Sequence, residues 1–465
     1  MADNRKRLFI AACAALTTNA MFFGICTDIM GDFEKFFKLT KLEVGQATSW
    51  GAIFGTTVLF LGGALLDYVG IGTALWLACA AHTLGLTAIL LAQGFWSLTL
   101  GWTLLAIAGS LVEAAINPLG ATLYPEKKVR VMNVLHAWWP GGIIIGGLLG
   151  AGISGLLQVV GASEATVWIS WQIKMGCVYV PIVFYAFLIF RQKFPQTERA
   201  QAGVPAKVML SEALRPMFLL LVICMFLTAS TELAPNRWVG VFVNDIIGKT
   251  ALGENAWLRG VLCLVYGAGL MFVLRLNVRH VERLLSPTGI LLASSVVSCA
   301  GLLCLSYATT IGGLFVAATV FSVGVAYYWP TMLGVTAERF PKGGAFLLGV
   351  IGAMAGLFLA YVSVPAMGKM HDEYTLANTP AEVKAKVVEN GRVDAALEKK
   401  LAEPEKNSLE EARRSAAKTT FRWVAAFPAA LIIIFGAIAL AERGRKKEEP
   451  VLQPQPAEET TSSGT

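Results

Sequence analysis

The fold class predicted here is an all-α membrane protein of twelve transmembrane helices in two six-helix pseudo-repeats. Three observations predict it. The 465 residues are 55% hydrophobic and only 15% charged, with a mean hydropathy of +0.62, whereas a soluble domain carries about 25% charged residues. The apolar residues fall into about twelve runs, most of them near the 20 residues that cross a bilayer as a helix. The second half also echoes the first. Asn117-Pro118-Leu119-Gly120-Ala121-Thr122, then Tyr124-Pro125-Glu126-Lys127, parallels Trp329-Pro330 with Leu333-Gly334-Val335-Thr336, then Phe340-Pro341-Lys342, at an offset of about 212 to 216 residues. Two parallel halves with a solute site near the midplane between them is a transporter architecture.

The N-terminal bundle is expected over 1–190. Its spans lie at about 8–30, 45–66, 73–93, 95–124, 131–160 and 166–190. The first opens on a charged start, but its apolar stretch outruns a signal peptide and no small-residue cleavage site follows, so it reads as a retained span. Residues 191–215, basic and rich in turn formers, read as a cytoplasmic linker. The C-terminal bundle is expected over 216–441, with spans at about 216–243, 256–274, 287–308, 312–335, 344–370 and 421–440. Pro235 is expected to break the seventh span, because it lacks an N–H and its ring crowds the preceding turn. Residues 369–420 form a charged insertion of helix-forming composition between the last two helices, expected outside the membrane. Residues 442–465 read as a disordered cytoplasmic tail.

Charge sets orientation and excludes other classes. The net +7 comes from Arg and Lys grouped in every second loop, including Arg5 to Arg7, Lys127 to Arg130, Arg191 to Arg215 and Arg275 to Arg283. That is the positive-inside pattern of a multi-pass protein of the cell membrane with both termini cytoplasmic. It is not a nucleic-acid footprint. Eight cysteines without CxxC spacing favour packing over a disulfide or metal framework. An enzyme would need a nucleophile–base pair or a metal-ligand set such as HExxH, and the four histidines are widely separated. The expected partners are the bilayer and a small solute, on a monomer with no cofactor beyond a proton as coupling ion.

The polar residues inside apolar runs mark the candidate site, since a carboxylate at bilayer depth needs a partner or a water-filled cavity. Glu113 and Asn117 are one turn apart on one helix face. Measured from the loop after Tyr124, they lie roughly 16 Å and 10 Å deep, and His136 on the returning helix lies roughly 12 Å deep. Carboxylate, amide and imidazole can therefore share one depth.

In these motifs the chain resembles the major facilitator superfamily. GGALLDYVGIG after the second span keeps Gly63, Asp67 and Gly70 of the family's cytoplasmic gate signature, without the arginine after the aspartate or the closing basic residues. Within the superfamily the resemblance is to the fucose:proton symporter-like sugar porters. It rests on Glu113-Ala-Ala-Ile-Asn117-Pro118, on Asn133-Val-Leu-His136, and on Glu232 followed by Trp238. The sequence departs from these porters in offering Asn19, not a carboxylate, in the middle of the first span, and in the 369–420 insertion. The resemblance implies proton-coupled symport of a small polar solute, a sugar, by alternating access. Facilitation or antiport of another solute (organic anion, nucleoside or drug) and a non-transporting sensor are the competing readings.

Glu113, His136 and Glu232 are the proton-coupling candidates. A structural Glu113 held by His136 or Lys174, and an internal Glu232–Arg237 pair, are the bland alternatives. Asn19, Asn117, Asn133 and Asn236 suit a solute's hydroxyls, because an amide both donates and accepts; for Asn133 helix capping competes. Trp238, Tyr327, Tyr328 and Trp329 are candidate stacking platforms beside polar faces. Trp138 and Trp139 are weaker ones. His82, alone on an apolar helix, reads as structural. Gly142, Gly146 and Gly150 give the small-xxx-small spacing of close helix packing.

Overall fold

The protein is described by a computed structural model covering residues 2–161, 163, 169–247, 256–389 and 392–444. The first half holds α1 (Ala2–Phe36), α2 (Lys41–Val69), α3 (Ile71–Leu90), α4 (Phe95–Leu123), α5 (Lys128–Val159), α6 (Ser170–Gly176) and α7 (Tyr179–Ile189). Two short helices, α8 (Glu198–Gln201) and α9 (Ala206–Glu212), lie in the linker region. The second half begins with α10 (Pro216–Ile247), α11 (Ala256–Leu276), α12 (Val278–Glu282), α13 (Pro287–Tyr307), α14 (Ile311–Val325) and α15 (Tyr328–Arg339). It closes with α16 (Gly344–Phe358), α17 (Val364–Asn378), α18 (Ala381–Val387), a two-stranded hairpin, α19 (Ala395–Glu398), α20 (Glu403–Val424) and α21 (Ala426–Gly444). Among the described residues eleven helical segments are long and apolar enough to cross a membrane, and a shorter apolar stretch, Val265–Leu276, lies in α11. Every backbone polar group in hydrocarbon must be satisfied within its own segment, which is why the chain is almost wholly helical.

Local chemistry sets the helix ends. Thr40 and Glu43 form a reciprocal capping box at the start of α2. Ser286 caps α13, with Pro287 at its first position, where a missing N–H costs nothing. Lipid-facing side chains such as Leu65, Trp96, Phe187 and Ile433 are left exposed, a placement that suits an apolar solvent.

Small residues bring the helices together. A Cβ on Gly146 would lie 2.3 Å from the Met21 carbonyl, and one on Gly142 would lie 2.8 Å from that of Thr17, so α5 seats directly on α1. The halves meet in the same way. A Cβ on Gly63 of α2 would lie 2.8 Å from the Ala345 carbonyl, and one on Gly349 of α16 would lie 2.8 Å from the Leu59 carbonyl. These contacts admit only glycine.

Two expectations are corrected. The seventh span is not broken at Pro235; α10 runs through it to Ile247, as α4 and α5 run through Pro118 and Pro140. The sixth span is instead two helices, α6 and α7, meeting at Cys177 and Val178. Within the charged stretch 369–420 the eleventh and twelfth helices run on past their apolar parts, since the helical run Pro341–Asn378 has 38 residues, about 57 Å at 1.5 Å per residue. Beyond it, Val383, Val387, Leu401 and Leu409 close a small core of their own, with Val388 paired to Val393 in the hairpin.

Candidate functional site

The site grows from one turn of α4. Asn117 donates from its amide nitrogen to the Glu113 Oε2, at 3.0 Å. Its amide oxygen, which can only accept, meets His136 Nε2 of α5 at 2.9 Å, so that nitrogen carries the hydrogen. The expected common depth of carboxylate, amide and imidazole therefore appears as a hydrogen-bonded row.

The row continues into the other half through Arg275, which loop charge alone groups with the basic residues outside the membrane. At the end of α11, Arg275 is 1% exposed. It donates to the His136 carbonyl at 3.0 Å and to the Ala326 carbonyl, and pairs with Glu232 of α10 at 2.7 Å. Glu232 thus has Arg275 as an ion-pair partner. A signal for this stands in the sequence: Arg275 lies between Leu274 and Leu276 at the end of an apolar run, unlike Arg279 and Arg283 beyond it. Tyr327 supports this corner by donating to the Leu274 carbonyl at 3.1 Å.

Several candidates are placed elsewhere. Asn19 bonds His82 at 2.6 Å, and His82 bonds the Tyr185 hydroxyl at 3.0 Å, so both belong to the scaffold of the first half. Tyr328 is fully buried, with its hydroxyl 2.8 Å from that of Ser298, and offers no face for stacking. Trp329 is partly buried against the core. Asn133 is not a cap; it bonds the Val129 carbonyl one turn back and the Thr331 hydroxyl across the halves, at 3.0 and 3.1 Å. The side chains of Asn236, Arg237 and Trp238 lie outside the described residues.

A cavity of about 140 Å³ opens beside the ion pair. Phe23, Trp139 and Ile143 from the first half wall it, with Met271, Phe315 and Phe321 from the second; Glu232, Tyr266 and Ser322 are its polar side chains. Leu359 meets it from a π turn, Leu359–Ser363, which interrupts the eleventh span. π turns of this kind recur at functional sites.

On the side of the basic loops the halves are closed. Asp67 accepts from Thr197 and Arg199, both near α8 in the linker. Lys128 pairs with Glu198 at 2.6 Å and donates to the Ala337 carbonyl at 3.2 Å, and Arg130 pairs with Glu282 at 2.6 Å. The arginine missing after Asp67 is thus replaced by Arg199, 132 residues later. Gly63 serves close packing, and Gly70, at φ +85°, makes the turn between α2 and α3.

Comparison with known proteins decides the family. The profile of the Major Facilitator Superfamily matches residues 8–367. The chain belongs to the Major Facilitator Superfamily. It is therefore a transporter and not an enzyme. A search of curated proteins finds no match. Among solved structures, this superfamily member is similar to the transporter FucP in its outward conformation, with a TM-score of 0.66 and 18% identity over 94% of this chain and 99% of that one. It is also similar to the human organic anion transporter MFSD10 (TM-score 0.63, 12% identity, 93% and 99% covered). The nucleoside transporter NupG gives a TM-score of 0.59 at 14% identity, with the same coverage. At such identities the likeness is one of fold.

Proposed function

We propose that this superfamily member is a proton-coupled symporter whose small organic solute binds in the cavity beside Glu232. The observation that carries the reading is the polar row Glu113–Asn117–His136–Arg275–Glu232. It joins the half-buried Glu113 and the buried Glu232 through both halves. A carboxylate on α4 and another on the cavity wall give a proton two stations. The Arg275 bond to the His136 carbonyl must change whenever the halves rock, which ties occupancy of the cavity to alternating access.

A sugar substrate is a second reading. It is favoured by Trp139 as a stacking surface on the cavity wall and by the likeness to a fucose:proton symporter, at 15% identity and a TM-score of 0.65. Against it, the amides expected to meet hydroxyls (Asn19, Asn117 and Asn133) are not among the residues that wall the cavity.

The test uses purified protein in liposomes with an inward proton gradient and protein-free liposomes as the baseline. Labelled hexoses, nucleosides and organic anions are screened. One class should accumulate, and Glu113→Gln should abolish accumulation while solute exchange persists, because the amide keeps the shape but cannot carry the proton. Unchanged accumulation in Glu113→Gln would remove Glu113 from the path; no movement of any solute would remove the symporter reading.

A further inference from the structure

The buried pair beside the cavity has Glu232 on the wall and Arg275 behind it, and its two members are chemically unequal. A glutamate can take a proton and become neutral, whereas an arginine cannot lose one. Counting the described residues, a cationic solute drawn to Glu232 would leave two positive charges in a low-dielectric pocket with one negative charge. An anionic solute drawn to Arg275 leaves Glu232 free to take a proton, and the pocket stays neutral. Removing one partner from a buried ion pair is strongly unfavourable unless its charge is met by another. The walls add a second constraint: Phe23, Trp139, Ile143, Met271, Phe315 and Phe321 suit an apolar body.

Geometry allows the exchange. Glu232 and Met271 both line the cavity, Met271 is one turn before Arg275 on the same face of α11, and the guanidinium lies 2.7 Å behind the Glu232 carboxylate. Two of its other donors are held by the His136 and Ala326 carbonyls, which fix the group in place as Glu232 moves aside. Among the described residues, the other titratable groups facing the pair are His136 of α5, Tyr266 of α11, Tyr327 and Tyr328 at the start of α15, and Cys299 of α13 beyond Tyr328. None of these is a carboxylate, so Glu232 is the acid that can neutralise itself there.

We propose that the cavity takes a compact organic monoanion with an apolar body, whose carboxylate replaces that of Glu232 on Arg275 while Glu232 takes up one proton from water. The charge balance is complete: one anion and one proton enter, and the arginine stays paired. This inference rests on reading the cavity as the solute site, and it narrows that reading to one substrate class.

The experiment is calorimetric titration of the full-length protein in lipid nanodiscs, in two buffers of different ionisation enthalpy. The probes share one ring and differ in head group: benzoate, benzamide and benzylammonium, with phenylacetate and hexanoate as further anions and a hexose as the neutral polyol. Benzoate should bind with uptake of about one proton, and its affinity should fall about tenfold per pH unit where Glu232 is ionised. Glu232→Gln, already neutral, should bind benzoate without proton uptake and without that pH dependence. Arg275→Gln should lose binding, and Glu232→Gln decides the matter if Arg275→Gln does not fold. Benzamide or benzylammonium binding as tightly as benzoate, benzoate binding with no proton uptake, or no binding by any of the three anions would each overturn the proposal. A hexose accumulating with protons in liposomes while no carboxylate binds would overturn the anion class and leave the symporter standing.

Discussion

Asn117 is the residue through which the two ends of the polar row communicate. It donates to Glu113 and accepts from His136, so Asn117→Ala leaves the half-buried Glu113 and the buried His136 without this partner. The expected cost is about 1–3 kcal/mol of stability, read as a lower melting temperature, together with loss of gradient-driven accumulation. A folded Asn117→Ala protein that accumulates solute normally would show that protons bypass this link. At the closed face, Asp67 is held by Thr197 and Arg199. Asp67→Asn should loosen that face and speed labelling of a cysteine placed at Thr122, in a background without native cysteines. The swap Asp67→Arg with Arg199→Asp should slow it again. If the swap behaves like the single variant, the ion pair is not what holds the face shut.

At the scale of helices, packing and projection make separate predictions. The α1–α5 seam has no room for a side chain at Gly146, where a Cβ would meet backbone at 2.3 Å. Gly146→Val should therefore cost about 3 kcal/mol, measured by thermal unfolding in detergent, and an unchanged melting temperature would mean the two helices can part without loss. The extension of the last two spans beyond their apolar parts divides into two regions. α20 contacts α10 and α13 and carries Phe421 onto the cavity wall, so the stretch 403–424 supports the site. The tip, 379–402, closes mostly on itself through Val383, Val387 and Leu401. Replacing the tip with a short Gly/Ser linker should leave uptake measurable. Complete loss of uptake with normal membrane insertion would give the tip a part in gating or binding.

For the whole molecule, the halves meet on the side of the basic loops, while the cavity reaches Leu305 and Leu314 at the opposite ends of α13 and α14. With basic loops inside, that geometry faces outward. The orientation itself is a prediction: single cysteines at Ser163 and Ser408 should react with an impermeant reagent added to intact cells, and one at Ser462 should not. The reverse pattern would invert the topology, and with it the direction in which this conformation opens.

Membership of a helical transporter fold was legible in the sequence because hydropathy, loop charge and internal repetition are one-dimensional signals. Each depends on composition along the chain and needs no knowledge of which helices touch. The Glu113–Asn117–His136 row was legible for a related reason, since helical rise alone sets depth across a single short loop. Partners far apart in the chain were not. Arg199 looks like an ordinary loop cation in the sequence and Arg275 is set apart only by its apolar neighbours, and only the folded molecule shows that Arg275 is buried against Glu232 and Arg199 against Asp67. Asn19 and Tyr328 failed in the opposite way. Their chemistry suits a solute, but helix rotation turned one to His82 and the other to Ser298. Composition fixes how deep a residue lies in a membrane helix, whereas the direction it faces is set by packing against neighbouring helices. The fold was therefore determined by the sequence read alone, and the pairing of Glu232 with Arg275 beside the cavity was decided by tertiary packing.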